Sequence, residues 1–415
     1  MGKLVKNEKL SQMRGEVKNH LLTVILPFWN NLKDEEFGGF YGGVSYGLEV
    51  DKKAPKGCIL NSRITWFYSN AYLAYKDGLI SDEDFSNAGM SADVILANAT
   101  HGYNFLKDKC IDKVNGGILW SLNYDGTVDD STKHTYNQAF CIYALSSYYA
   151  ATGDKEALKL AYELYELIES KCKDEIGYLE AFKIDFSPES NEKLSENGVM
   201  ADKTMNTLLH VFEAYTELYR VDKNEEVGNK LRWIMEVVAN KIYNPELGRQ
   251  EVFFDANYNS IIDLYSYGHD IETAWLTDRG TEVLGDAKYI DMLTPITQTL
   301  ASQVFKIAFN GQSLANECEK GVVNEHRIWW VQAEAVLGFL NAAASMPERT
   351  EFVDAAVSQW EFIRDYVTDK RDGSEWFWEV DPSGQPYPDR PIVEPWKCPY
   401  HNGRMCFEVL RRVEC

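Results

Sequence analysis

Asn115-Gly116-Gly117-Ile118-Leu119-Trp120 sets two glycines ahead of a short apolar run. Glycine supplies the left-handed backbone of a tight turn, and the run after it reads as a short extended piece. The pattern returns at Phe37-Gly38-Gly39-Phe40-Tyr41, Ile176-Gly177-Tyr178-Leu179, Leu247-Gly248-Arg249, Lys320-Gly321-Val322 and Asp372-Gly373-Ser374-Glu375-Trp376. Counted on the lead glycine, the six turns lie 78, 61, 71, 73 and 52 residues apart. Each interval has room for two helices of ordinary length.

The stretches between the turns carry helical periodicity. Arg63 to Tyr75 places Trp66, Phe67, Ala71, Tyr72 and Leu73 at mixed three- and four-residue steps, as a buried helix does. Tyr136 to Ala150, Met205 to Tyr219, Ile271 to Leu284 and Ile328 to Ala344 behave alike. Strand-like alternation is confined to the turns. Twelve helices in six hairpins, with no Pro- or Ser-rich linker, predict one all-α domain over residues 1–415: an (α/α)6 barrel, a closed toroid with short β-turn and hairpin loops. An open solenoid is the alternative. Closure is preferred because the distinctive polar residues share one register. Arg63, Tyr136 with Asn137, Asn206 with His210, His269 with Glu272, Trp329 with Trp330, and His401 with Arg404 all fall near the start of the helix after a glycine turn. In a barrel of hairpins those starts converge on one pocket.

Bulk properties narrow the chemistry. A net charge of −22 argues against nucleic acid or an anionic membrane as partner. No run approaches a membrane span, and the N-terminus lacks the apolar stretch of a secretory signal, so a cytoplasmic protein is expected. The eight cysteines are scattered, and Cys58, Cys141 and Cys406 read as small core groups in a reduced chain. Histidines and cysteines are not clustered at ligand spacing, so no metal site is expected. The chain holds 11 Trp, 24 Tyr and 19 Phe. Most suit a helical core, but Trp329, Trp330, Trp376, Trp378 and Trp396 sit beside polar groups, a poor setting for pure core. Aromatic faces next to acids and amides are how proteins grip sugars.

Two stretches carry the chemistry: Ser266-Tyr267-Gly268-His269-Asp270-Ile271-Glu272 and Lys397-Cys398-Pro399-Tyr400-His401-Asn402-Gly403-Arg404. Each sets a histidine after a tyrosine and a chain-bending residue, at the start of a helical run. Two such groups, titrating near neutrality, suit a site that removes a proton from one face of a carbon and returns one to the other. His269 and Glu272 share a helix face, so the glutamate could hold the ring; a capping role is the plainer alternative. Asn206 and His210 stand four apart on one face, with a core histidine as the even alternative. Arg63 lies in an apolar helix, as does Glu334, and an Arg63–Glu334 ion pair would account for both. His20, His101, His134 and His326 are expected in exposed or structural roles. No phosphate loop, nucleophile elbow or dinucleotide fingerprint occurs, which leaves cofactor-free proton chemistry next to a carbonyl of a sugar-like molecule.

These segments resemble the cellobiose 2-epimerase branch of the N-acylglucosamine 2-epimerase superfamily. The matching stretches are Lys56 to Arg63, Lys203-Thr204-Met205-Asn206 with His210, Ser266 to Glu272, Trp329-Trp330, and Trp396 to Arg404. Thr65 and Thr277-Asp278-Arg279 depart from the usual pattern, away from the catalytic positions. The resemblance implies the same barrel and inversion at C2 of the reducing-end sugar of β-1,4-linked disaccharides such as cellobiose, lactose and mannobiose. It implies no cofactor, and the expectation is a monomer. It casts His269 and His401 as the acid/base pair, with Arg63 and His210 polarising the O1/O2 end. Asn206 and Glu272 would orient substrate and base, Trp330 and Trp396 would stack on sugar rings, and Tyr136, Trp329 and Glu334 would line the pocket. An aldose–ketose isomerase and a glycoside hydrolase of the same fold are the competing enzymes, the latter needing two facing carboxyl groups but no histidines. A non-catalytic sugar-binding protein would have no use for both histidines.

Overall fold

The computed structural model describes residue 4 and residues 7–195 and 197–414. Among these, twelve helices of at least twelve residues follow in chain order. They are α1 (Glu8–His20), α2 (Cys58–Lys76), α3 (Ala92–Phe105), α4 (Thr135–Thr152), α5 (Lys155–Lys171), α6 (Met205–Asp222), α7 (Glu225–Val237), α8 (Tyr267–Leu284), α9 (Ala287–Ile307), α10 (Trp329–Ser345), α11 (Glu351–Phe362) and α12 (His401–Arg412). The even-numbered helices form an inner ring in which each packs on the next, and α12 closes the circle against α2. The odd-numbered helices wrap the outside. This is the closed (α/α)6 barrel that the turns predict. The sixth hairpin differs from the other five, because it joins the chain ends: α1 lies on α12, and the Leu4 N–H donates to the Arg412 carbonyl at 3.0 Å.

Sequence pattern separates the rings. Helix α4 is buried from Thr135 to Tyr148, as a helix covered on all sides must be. Helix α5 buries one stripe only, Ala157, Ala161, Leu164, Tyr165 and Ile168, and gives its charged residues to solvent. Helices α4 and α5, α6 and α7, and α8 and α9 are each joined through two residues. Gly153 and Gly285 take left-handed backbone at the ends of α4 and α8. Asp154, Asn224 and Asp286 then cap α5, α7 and α9 through the N–H two residues on.

The return from each outer helix to the next inner one passes through a hairpin with its own repeated chemistry. Asp34, Asp112, Asp174, Asn244, Asn310 and Asp369 each accept backbone N–H groups two or three residues ahead. A buried lysine just before the next inner helix grips four of these hairpins. Lys56 binds Asp34, Lys133 binds Asp112 at 2.7 Å, Lys203 binds Asp174 at 2.6 Å, and Lys397 binds Glu375 at 2.5 Å. These pairs fix where α2, α4, α6 and α12 start, and so where their part of the polar register points.

The fifth turn of the sequence pattern is displaced. Lys320-Gly321 closes a separate hairpin, Glu317–Glu319 with Val322–Asn324, which adds to the strand Leu264–Ser266 ahead of α8. The equivalent of the other turns is Asn310-Gly311, where Phe309 bridges Leu314. Trp376 also departs from expectation. It is fully buried, and its indole N–H donates to His20 Nε2 at 2.7 Å. Cys58, Cys141 and Cys406 are buried as expected. Among the described residues no helix is long and apolar enough to cross a membrane.

Candidate active site

All six inner helices start at the same end of the barrel. Of the six, α6 has a side-chain cap, from Thr204; α2, α4, α8, α10 and α12 have none. The uncapped ends direct the positive poles of five helix dipoles toward the polar register, which favours negative charge there.

The expected residues meet at this end. Trp330 lies against both stretches singled out for catalysis: its ring is 4.8 Å from that of His269 and 5.5 Å from that of His401. Gly268 makes this approach possible, since a Cβ there would lie 2.6 Å from the Trp330 ring. Trp329 meets His401 edge-on at 6.4 Å, and its indole N–H has no protein partner. Trp396 meets Tyr136 at 6.1 Å, and Tyr136 meets the His210 ring at 5.0 Å. The Asn206 side-chain carbonyl is also without a protein partner.

Arg63 is 2% exposed, and among the described residues it has no carboxylate partner. Its guanidinium is sandwiched between the rings of Phe140 at 4.1 Å and Tyr400 at 4.8 Å. It donates to the Tyr136 hydroxyl at 2.8 Å and to the Trp396 carbonyl at 3.2 Å. The Arg63–Glu334 pair considered from sequence therefore does not form. A buried cation left unneutralised is a standing attraction for an anion.

The histidine partners differ from those that sequence spacing suggests. His269 does not bond Glu272; its Nδ1 lies 2.7 Å from Ser266 Oγ. Burial lowers the pKa of His269 well below the ordinary imidazole value. His401 Nδ1 lies 2.7 Å from Glu334 Oε1, and His210 Nδ1 lies 3.0 Å from Glu213 Oε2. Both are also shifted down by burial, with Arg404 and Arg63 adding to the effect. Neutral imidazoles, able to accept a proton, are what this setting favours.

Sequence reading missed the groups behind these rings: Glu213, Tyr400, Trp275 and Ser266. Two of them were within reach of it, since His210 and Glu213 repeat the spacing of His269 and Glu272, and Ser266 stands three residues before His269. Trp275 donates its indole N–H to Glu334 Oε2 at 2.8 Å. Trp120, on the rim, meets Trp396 at 5.7 Å. Glu272, Glu334 and His401 are close enough together to share a cation. Arg404 already serves that position, donating to both glutamates. The remaining four histidines are built into packing. His101 bonds the Gly39 carbonyl, His326 bonds Glu379, His134 lies on Trp120, and His20 accepts from Trp376.

The family model described as N-acylglucosamine 2-epimerase (GlcNAc 2-epimerase) matches residues 38–403. A cellobiose 2-epimerase of Ruminococcus albus is 48% identical over 403 residues, 97% of this chain and 98% of the relative. One from Eubacterium cellulosolvens is 49% identical over 416 aligned residues, 96% of this chain and 98% of the relative. The crystal structure of a sugar epimerase from a ruminal bacterium superposes with a TM-score of 0.92 at 48% identity, covering 97% of this chain and all of that one.

Proposed function

The chain belongs to the N-acylglucosamine 2-epimerase family, and we propose that it epimerises β-1,4-linked disaccharides and that its residues carry the reaction as follows. The substrate's reducing-end sugar opens to its aldehyde form. One of His269 and His401 removes the C2 proton to give a cis-enediolate, C2–C3 rotates, and the other histidine returns a proton to the opposite face. Cellobiose becomes glucosyl-mannose, and lactose becomes epilactose. The observation that carries this reading is the pair of histidines that both meet the Trp330 ring, with the unneutralised guanidinium of Arg63 at the same end of the barrel. The enediolate oxygens take the place of the missing anion next to Arg63, and His210 polarises the same end of the substrate. Asn206 and Glu272 orient it, Trp330 and Trp396 stack on its rings, and Tyr136, Trp329 and Glu334 complete the wall.

Epimerisation moves a proton and changes no oxidation state, so the reaction has no need of a redox cofactor. The whole chain acts as one catalytic unit. Its ring is closed by its own ends, which fits a monomer, and the free thiols at Cys58, Cys141 and Cys406 fit a reducing cytoplasm.

Incubation with cellobiose in D2O tests the reading. Glucosyl-mannose carrying deuterium at C2 is expected. Unlabelled epimer would overturn the proton-exchange mechanism, free glucose would mean hydrolysis, and a fructosyl product alone would mean isomerisation. His269→Asn or His401→Asn should cut kcat by roughly 10²–10⁴-fold.

A further inference from the structure

Arg404 stands where the two carboxylate-backed histidines meet. Its Nη1 donates to Glu213 Oε1 at 2.5 Å and to the Tyr400 hydroxyl. Its Nη2 donates to Glu334 Oε1 at 2.6 Å and to Glu272 Oε1. With the contacts of His210 to Glu213 and of His401 to Glu334, the run His210, Glu213, Arg404, Glu334, His401 is unbroken. The guanidinium lies between the rings of Tyr400 at 4.3 Å and Trp275 at 4.8 Å, which fixes its plane. An ionised carboxylate only accepts, so the ring nitrogen facing it carries the proton and the other ring nitrogen is left as the acceptor.

Three carboxylates share one cation, so the one with the fewest donors is the readiest to take a proton. Donor count says which. Glu334 receives His401 Nδ1–H, Arg404 Nη2–H and Trp275 Nε1–H. Glu213 receives Arg404, Tyr400 and His210. Glu272 receives Arg404 and has the poorest set, with His401 Nδ1 4.0 Å away. Burial and Glu334 push its pKa up to about 8, whereas Glu213 is held well below the usual carboxylate range despite its burial, chiefly by Arg404.

Building on the histidine roles given above, we propose that Arg404 is a positioning residue: it keeps Glu213 and Glu334 ionised together and so holds His210 and His401 in the tautomer that leaves Nε2 as the acceptor. The planar fork is essential. A lysine ammonium offers three donors from one atom and does not span oxygens on both sides as the fork does. The charge is equally needed, because without it Glu334 joins Glu272 in taking a proton and His401 loses its partner. The groups that set this balance are His210 and Glu213 on α6, Glu272 on α8, Glu334 on α10, and Arg404 with the preceding Tyr400, together with Arg63 on α2 and Tyr136 and Tyr143 on α4.

The test is the pH dependence of kcat/KM on cellobiose, with ¹⁵N spectra of labelled histidines reporting tautomers. Arg404→Gln should lower kcat by at least about 10²-fold, and move the acid limb up by about one pH unit. Arg404→Lys should bring the limb back while kcat stays low, since charge returns without the fork. Glu213→Gln removes a competitor for Arg404 and should move the limb the other way. This variant also decides the matter if Arg404→Gln fails to fold. Limbs that stay put, or that move in the same direction in Arg404→Gln and Glu213→Gln, would overturn the proposal, as would unchanged histidine tautomers in Arg404→Gln. Full C2 exchange in His401→Asn would instead strike at the catalytic roles themselves, which separates the two failures.

Discussion

The two ends of the inner ring bury charge in opposite ratios. At the N-terminal ends of the inner helices, Glu213, Glu272 and Glu334 share the single guanidinium of Arg404. Toward the C-terminal ends Glu217 and Glu408 each have two arginines. Glu217 is held by Arg220 at 2.7 Å and Arg279 at 2.9 Å, and Glu408 by Arg411 at 3.0 Å and Arg412 at 3.1 Å. The consequences are opposite too. Cation-rich surroundings hold the Glu217 pKa well below the usual carboxylate range despite burial, and bring that of Glu408 down to about 2. At the cation-poor end Arg404 still holds Glu213 low, but burial pushes Glu272 up to about 8 and raises Glu334. Compensated charge locks one end of the ring; scarcity of cations at the other leaves protons that can move.

Matched substitutions at the two ends should break along this line. Glu334→Gln removes the carboxylate behind His401 and is expected to lower kcat by about 10²-fold or more, with little change in thermal stability because crowding around Arg404 is relieved. Glu217→Gln leaves two arginines without their buried partner. It should cost about 3 kcal/mol of stability while kcat on cellobiose stays within about threefold of the parent. Thermal unfolding and steady-state rates on both variants check this. A Glu217→Gln protein that is stable but inactive would show that the far end also serves the chemistry.

The pH dependence of stability sharpens the contrast with a smaller effect. Glu408 has a depressed folded pKa, so its contribution is present above the ordinary glutamate value of 4.5 and is lost as pH falls toward about 2. Glu272 has a raised one, so its contribution is full below 4.5 and is lost as pH rises through about 8. Asp270 behaves like Glu272: it is raised to about 8 by burial, with the Gln250 side-chain amide at 3.0 Å as its closest donor. The buried histidines, depressed in the folded state, work the other way until pH passes their unfolded value of 6.5, so melting temperature should decline between about pH 7 and pH 8, and Asp270→Asn should flatten part of that decline. A variant whose slope matches the parent would remove Asp270 from the account.

Sequence reading reached the ring but not the wiring inside it. Glycine turns and helical periodicity are local signals, and they located the inner helices because each is preceded by a hairpin of fixed chemistry. The fifth turn went astray because Lys320-Gly321 is as good a turn as Asn310-Gly311, and only strand pairing distinguishes them. The residues chosen for the site do converge, since a shared register near the helix starts is enough to predict that. Their partners depend on how neighbouring helices rotate against one another, and no local spacing encodes it. Glu272 shares a helix face with His269 yet serves Arg404 on α12, while His401 takes its carboxylate from α10, 67 residues away in sequence.

The smallest expected effect separates the two histidines proposed as the acid/base pair from each other. His401 rests on a carboxylate, and His269 on the Ser266 hydroxyl at 2.7 Å. A neutral hydrogen bond contributes about 1 kcal/mol net, whereas a charge-assisted one is roughly twice as strong. Ser266→Ala should then lower kcat by about threefold to tenfold, well short of the loss in Glu334→Gln. Deuterium uptake at C2, measured from cellobiose and from its epimer, reads each proton transfer apart from ring opening. Equal losses in the two variants would mean that both rings are held with equal force and that the hydroxyl does the work of a carboxylate. Unequal losses tie base strength to the charge behind the ring, because His269 then keeps most of its function without a fixed partner and His401 does not.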